Sequence, residues 1–144
     1  MSWHEIIVPD PHALSGASVR RFLDGVVGPA DIRWVQADDL VGSFSGLRGQ
    51  ERVTLPVGRF LDLVADATQY DWAFFFLYED EPTPRPPEAT HRAMIANAKA
   101  TVRLFDDSDL FVYTRDDALA EHLRCAYPSA THRRCAFEEL SVPY

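Results

Sequence analysis

Two His-x-x-Cys pairs in the last quarter of the chain have residue types and spacing that could support metal chemistry: His122 with Cys125, and His132 with Cys135. Imidazole nitrogens and thiolates are the ligands that Zn²⁺ takes in tetrahedral structural sites. On a helix, His122 and Cys125 would lie one turn apart on the same face. The four residues are therefore a candidate zinc site. The alternative is a buried cysteine on the inner face of a helix and a second cysteine in a strand, with surface histidines. The flanking arginines favour this alternative because they place positive charge beside the proposed ion.

The same residue types could instead form a nucleophilic pair. A thiol activated by a neighbouring imidazole is a nucleophile, so Cys125 or Cys135 could act with His91, His122 or His132. No family signature surrounds these residues, and the chain lacks the GxGxxG, GxxxxGK[ST], GxSxG, HExxH and CxxC motifs. We therefore predict no catalytic residues and no cofactor. A small enzyme with a site assembled from residues distant in sequence is kept as an alternative.

Acidic side chains are concentrated where the chain is expected to turn. Six of them border a proline-rich loop or form the tip of a predicted hairpin: Glu79, Asp80, Glu81, Asp106, Asp107 and Asp109. Carboxylates in such numbers attract a cationic surface over long distances. We predict that these six residues bind a basic partner. The alternative is that they are solvated turn residues with no partner.

The net charge supports that prediction. The 144 residues include 22 Asp and Glu against 14 Lys and Arg, which gives −8 at pH 7. This balance argues against binding to nucleic acid or to anionic membrane surfaces, both of which attract basic proteins. No apolar run approaches the roughly 20 residues that span a membrane, and the first residues lack the pattern of a signal peptide. We expect a cytoplasmic protein with two reduced cysteines.

The most apolar run of the chain is residues 72–78, and we expect it to form the centre of the fold. It reads W-A-F-F-F-L-Y and is bounded by Asp71 and by the acidic, proline-containing residues 79–82. Its length and aromatic content predict a strand. Alternate residues point to opposite faces, and both faces are apolar here. The run therefore predicts a strand inside a sheet that is covered on both sides.

Two segments have the spacing of amphipathic helices. Apolar residues recur at i, i+3, i+4, i+7 and i+8, as Val19, Phe22, Leu23, Val26 and Val27 and again as Val57, Phe60, Leu61, Val64 and Ala65. Both segments contain V-x-R-F-L-D-x-V, which fits either an internal duplication or, as we favour, two helices packing on one sheet. Another helix is predicted to begin at Arg115 with Thr114 as its cap. Residues 89–99 fit a short helix or a strand.

The remaining apolar runs are short and separated by turn residues. Strands are predicted at residues 5–8, 32–36, 39–44, 51–55, 101–105, 110–114 and 132–140, with a turn between the second and third of these. The sequence thus predicts a single α+β domain over residues 1–144. It would contain a mainly antiparallel sheet with two or three amphipathic helices packed on it.

These features favour a non-catalytic binding protein that inhibits or neutralises a basic protein partner such as a toxin. In size, charge and lack of catalytic motifs the chain is similar to bacterial immunity proteins and antitoxins, which is an analogy of type rather than a motif match. The alternatives are the small enzyme and a zinc-stabilised domain. The oligomeric state does not follow from the sequence.

Overall fold

The computed structural model of the chain describes residues 2–10, 14–43, 52–84, 88–106 and 108–142. Within these residues one antiparallel sheet has seven strands in the order β3-β2-β4-β5-β6-β1-β7. The strands are β1 (Trp3–Pro9), β2 (Trp34–Ser43), β3 (Arg52–Pro56), β4 (Gln69–Tyr78), β5 (Ala100–Phe105), β6 (Asp109–Thr114) and β7 (Thr131–Cys135).

Four α-helices pack on the sheet within the described part of the chain, so the predicted α+β class is confirmed with more helices than expected. They are α1 (Gly16–Val27), α2 (Val57–Ala65), α3 (His91–Asn97) and α4 (Asp117–Ala126). The two predicted apolar stripes form most of the buried faces of α1 and α2, where Phe22 and Phe60 are buried, but Ala65 at the end of the second stripe is exposed. Residues 89–99, left open between helix and strand, contain α3.

The apolar run predicted to be central is the inner part of β4, which lies between β2 and β5. Phe75 and Leu77 belong to the larger core, which they share with residues of α1, α2 and α4. Phe74 and Phe76 belong to a second core on the opposite face, together with residues of α3. The prediction that both faces of this strand are covered is therefore confirmed.

The C-terminal segment, residues 137–142, covers part of the second face by hydrogen bonds from side chains. Arg92 donates to the carbonyl oxygens of Phe137 at 3.1 Å and Leu140 at 2.9 Å. Tyr113 Oη and Arg103 Nη1 donate to the carbonyl of Ser141 at 2.7 and 2.8 Å. Because these donors come from α3, β5 and β6, the segment fastens three elements to one another.

The predicted turn between two strands near Asp38 and Asp39 is wrong. β2 runs through this point as one strand, and its register with β4 shifts between the Asp38–Phe74 and Val41–Trp72 pairs. Asp39 takes a left-handed conformation with φ 55°, which Asp tolerates better than most residues. Aspartates that are typical of turns therefore form a β-bulge here.

Two predicted boundaries near the C-terminus are also wrong. The last helix begins at Asp117 with Asp116 as its cap, whose Oδ1 accepts from the backbone of Ala118 and Leu119. Thr114 cannot cap it because Thr114 is a strand residue paired with His4 and Ala100. The last strand ends at Cys135, and a 3₁₀ turn at Phe137–Glu139 follows it.

Candidate functional site

The structure does not assemble the four residues of the candidate zinc site. His122 and Cys125 are exposed on α4. Cys135 pairs with Trp3 and packs against the second core, whereas His132 pairs with Ile6 of the larger core, so the two project from opposite faces of β7. Among the described residues, no group of three His, Cys, Asp or Glu side chains could hold a metal ion.

Of the proposed thiol–imidazole pairs, the structure separates His91 from Cys135. His91 of α3 packs on Phe74 of β4 and donates to Asp38 of β2, whereas Cys135 is on β7, four or five strands away, roughly 19–24 Å at the usual strand spacing. Burial raises the pKa of the Cys135 thiol, which opposes formation of a nucleophilic thiolate. Cys125 lies against Glu121 Oε1 at 3.5 Å, a carboxylate that cannot act as the imidazole of such a pair.

A row of three side chains distant in sequence joins β1, α4 and β7. His4 Nε2–H donates to Asp117 Oδ1 at 2.6 Å, and a second hydrogen bond of 2.9 Å joins His4 Nδ1 to His132 Nε2. The hydrogen bond from His4 lowers the pKa of Asp117. Desolvation, followed by the charges of His4 and two arginines, lowers the pKa of His132. His4 thus links β1 to α4 through Asp117 and to β7 through His132.

A second polar cluster lies between β2, β3 and α3. Asp38 Oδ2 accepts from Arg52 at 2.7 Å and from His91 Nε2 at 3.1 Å. The ring of His91 packs on Phe74 with a centroid distance of 4.0 Å. Burial raises the pKa of Asp38, but the hydrogen bonds from His91 and Arg52 outweigh that effect and leave it below 3.8. The cluster is a partly buried ion pair that fixes α3 over the sheet.

Five of the six predicted partner-binding acids are among the described residues, and these five do not form one surface. Glu79, Asp80 and Glu81 follow the end of β4, whereas Asp106 follows the end of the antiparallel strand β5. Six strand residues separate the two ends of the paired region, which is roughly 20 Å. Asp109 lies with Asp106 at the hairpin end, and Asp107 lies outside the described residues.

The acids at the end of β4 are accompanied by cations. Lys99 forms an ion pair with Glu79 and lies 3.9 Å from Asp116. A shallow cleft of about 480 Å³ at this end is lined by Glu79, Asp80, Glu81, Lys99 and Arg115 among others. Its charge is therefore mixed, which weakens the attraction of this end for a basic surface.

At the hairpin end, two large hydrophobic side chains are exposed beside the acids. Val41 is 44% exposed and Trp72 is 40% exposed, and they are direct neighbours across β2 and β4. Trp72 also pairs with Phe105, against which its ring packs edge to face at 5.2 Å. Phe105 in turn pairs with Asp109. We call Val41, Trp72, Phe105, Asp106 and Asp109 the hairpin-end surface.

A cleft of about 270 Å³ opens next to this surface. It is lined by Asp39, Trp72, Ala73, Phe74, Arg103, Leu104 and Phe105. Arg103 is only 8% exposed, and its guanidinium carbon lies 4.7 Å from the Phe105 ring centroid and 5.6 Å from that of Phe74. The cleft therefore combines aromatic walls with one cation that is shielded from solvent.

The sequence does not predict that Trp72 and Arg103 line a cleft at the hairpin-end surface. Trp72 is the first residue of the apolar run, and at 40% exposed it lies where the cover by other elements ends. Arg103 was treated as part of a hairpin strand, although a charged residue that alternates with Val102 and Leu104 is a signal for a polar position on the other face.

No protein family, curated protein or solved structure matches this chain in comparisons of sequence and fold. Within the described residues, no helix is both long enough and apolar enough to cross a membrane. The class that the fold defines is thus an α+β domain built on one antiparallel sheet, and its function must be inferred from its own surface.

Proposed function

We propose that this chain is a non-catalytic binding protein that inhibits or neutralises a basic protein partner, in the manner of an immunity protein or antitoxin. The partner would bind the hairpin-end surface. The observation that carries the proposal is the exposed Val41–Trp72 pair beside Asp106 and Asp109. Aromatic anchors with a charged rim are the usual composition of protein interfaces.

Electrostatics would guide the encounter. The chain carries a net charge of −8, and the field of the acids would accelerate association with a cationic surface. Affinity would come from Trp72, because burying a large aromatic side chain at the centre of an interface contributes more than rim charges do. At the other end of β4, Glu79 is paired with Lys99 and the cleft contains cations, so the acids there would contribute less to binding.

The proposal is tested by affinity capture from lysate of the source cell, followed by titration with the captured partner at low and high salt. We expect a stoichiometric complex with a basic protein that weakens as salt rises, since the screening length falls from about 10 Å at 0.1 M to about 3 Å at 1 M. An absence of any partner at either salt concentration would contradict the proposal.

Charge-reversal variants locate the surface. Asp106→Lys with Asp109→Lys should slow association and lower affinity, and Trp72→Ala should raise the dissociation rate. Glu79→Lys with Glu81→Lys is the matched control, because it reverses two charges at the opposite end of the sheet. Equal losses in both double variants would show that net charge, and not the hairpin-end surface, controls binding.

A further inference from the structure

Arg103 has an unusual environment for a charged side chain. Its guanidinium is surrounded by the rings of Phe74, Phe105 and Phe111, at 5.6, 4.7 and 5.2 Å from the centroids. No carboxylate lies within ion-pair distance of it among the described residues. A buried cation is ordinarily balanced by a counter-ion, so this site can accommodate an anion.

Only one nitrogen of the Arg103 guanidinium makes hydrogen bonds to the described residues, so the other two can donate to a ligand. Nη1 makes both of the hydrogen bonds of Arg103, to Ser141 O at 2.8 Å and to Tyr113 Oη at 3.3 Å. Nε and Nη2 make none to the described residues, although a guanidinium has five N–H donors. Arg103 also lines the 270 Å³ cleft. Donors arranged as a planar fork match the two oxygens of a carboxylate.

The residues that line the cleft indicate which chemical group, besides the carboxylate, the ligand should carry. Trp72 and Phe105 line one side, in edge-to-face contact with each other, and Phe74 lines the interior. A planar aromatic group would pack on such walls. The volume is at the small end of ligand pockets, which hold roughly 300–1,000 Å³, so the ligand has to be small.

The sign of the ligand charge follows from burial. Asp39 also lines the cleft, but it is exposed, so water and salt screen its charge. Arg103 is shielded from solvent by aromatic rings, where a charge acts more strongly. A cation in the cleft would be repelled by Arg103, and an anion would be attracted.

We propose that the cleft beside Trp72 binds a small aromatic carboxylate, with Arg103 holding the carboxylate and Trp72 and Phe105 packing on the ring. The cleft shares Trp72 and Phe105 with the hairpin-end surface, but the inference does not rest on the protein partner proposed above, because it concerns a different class of ligand and is tested without that partner. It adds a small-molecule site at the edge of the hairpin-end surface.

Three probes of similar shape test the charge requirement on the wild-type protein. We would titrate 3-phenylpropanoate, 3-phenylpropanamide and 3-phenylpropylamine and follow heat and the NMR signal of the Trp72 indole N–H. The carboxylate should bind and shift that signal, the neutral amide should bind about tenfold or more weakly, and the amine should not bind. No binding of the carboxylate, equal binding of all three, or tightest binding of the amine would each overturn the proposal.

Two variants separate the role of Arg103 in the cleft from its role at the C-terminal segment. Arg103→Gln removes the cation, whereas Tyr113→Phe removes the hydrogen bonds of the Tyr113 hydroxyl to Ser141 O and Arg103 Nη1 and leaves the cation in place. We expect Arg103→Gln to abolish binding of 3-phenylpropanoate and Tyr113→Phe to retain it. Equal loss in the two variants would mean that Arg103 acts only by fixing the segment. Trp72→Ala should weaken binding and Trp72→Phe should restore most of it.

Discussion

Glu5 accepts a hydrogen bond from the backbone N–H of Ser141 at 2.6 Å, so a carboxylate at the start of the chain fixes its C-terminal segment. The other oxygen of Glu5 accepts from Arg133 at 3.1 Å and from the Ser141 hydroxyl at 3.3 Å. Glu5 is buried in β1, between β6 and β7. Hydrogen bonds to Glu5 therefore hold residues 137–142 in place, although this segment pairs with no strand among the described residues.

Replacing Glu5 with Gln should destabilise the fold and loosen this segment. The amide keeps the shape but loses the charge that strengthens hydrogen bonds to Ser141 and Arg133, and a loss of about 1–3 kcal/mol in the free energy of unfolding is expected. Denaturant unfolding and hydrogen exchange at the Ser141 and Val142 amides would measure it. Glu121→Gln is the control, because Glu121 is exposed on α4 and should change neither quantity appreciably. Unchanged exchange at Ser141 in Glu5→Gln would contradict the role of Glu5.

The Asp38 cluster predicts a pH dependence of stability. Since the pKa of Asp38 is lower in the folded protein than its ordinary value of 3.8, the ionised carboxylate stabilises the fold. This contribution is fully present above pH 3.8 and is lost as the pH falls through the lower, folded-state pKa. Asp38→Asn should therefore be less stable than wild type near neutral pH, and the difference should shrink below about pH 4. Urea unfolding at several pH values from 3 upward would measure it. A constant difference across that range would show that Asp38 does not contribute through its charge.

Two glycines of α1 should respond in opposite ways to the same substitution. A Cβ on Gly16 would overlap the carbonyl oxygen of Ala67 and lie 2.8 and 2.9 Å from those of Val64 and Ala65, at the end of α2. Gly16→Ala should cost about 1–3 kcal/mol or more by forcing the helices apart. A Cβ on Gly25 meets nothing within 4 Å, so Gly25→Ala should stabilise by about 0.5–1 kcal/mol. Thermal or urea unfolding distinguishes them, and equal effects would contradict the close packing of α1 on α2.

Alanine substitution of two aromatic residues of β4 should reduce the free energy of unfolding by different amounts, because one is in the core and the other is at the surface. Phe75 is fully buried and packs edge to face on Phe60 and Tyr70 at 4.9 and 6.0 Å, so Phe75→Ala should cost about 3–5 kcal/mol. Trp72 lies three residues earlier on the opposite face and is 40% exposed, so Trp72→Ala should cost clearly less. Unfolding free energies from denaturant titrations would measure both. If the two substitutions cost the same, Trp72 would be a core residue and the hairpin-end surface would lose its anchor.

Much of the fold could be predicted because local patterns and packing agree. The apolar run at residues 72–78 has no polar face, so it had to lie inside a sheet with cover on both sides. The stripes of α1 and α2 repeat with the helical period, and such a face must be buried. Predictions failed where one residue type serves two structures. Asp38 and Asp39 are typical of a turn, yet Asp38 is paired with both neighbouring strands and the register with β4 shifts only after it, before Val41.

The candidate site depended on tertiary structure. The sequence by itself determined the acidic charge, the α+β class and the central strand, because composition and periodicity depend only on the order of residues. The structure alone decided that Glu79 and Asp106 lie at opposite ends of the sheet, that His132 and Cys135 face apart, and that Trp72 and Arg103 border one cleft. The physical reason is that strand order and register set which distant residues become neighbours, and register depends on the burial of whole faces and not on any single motif.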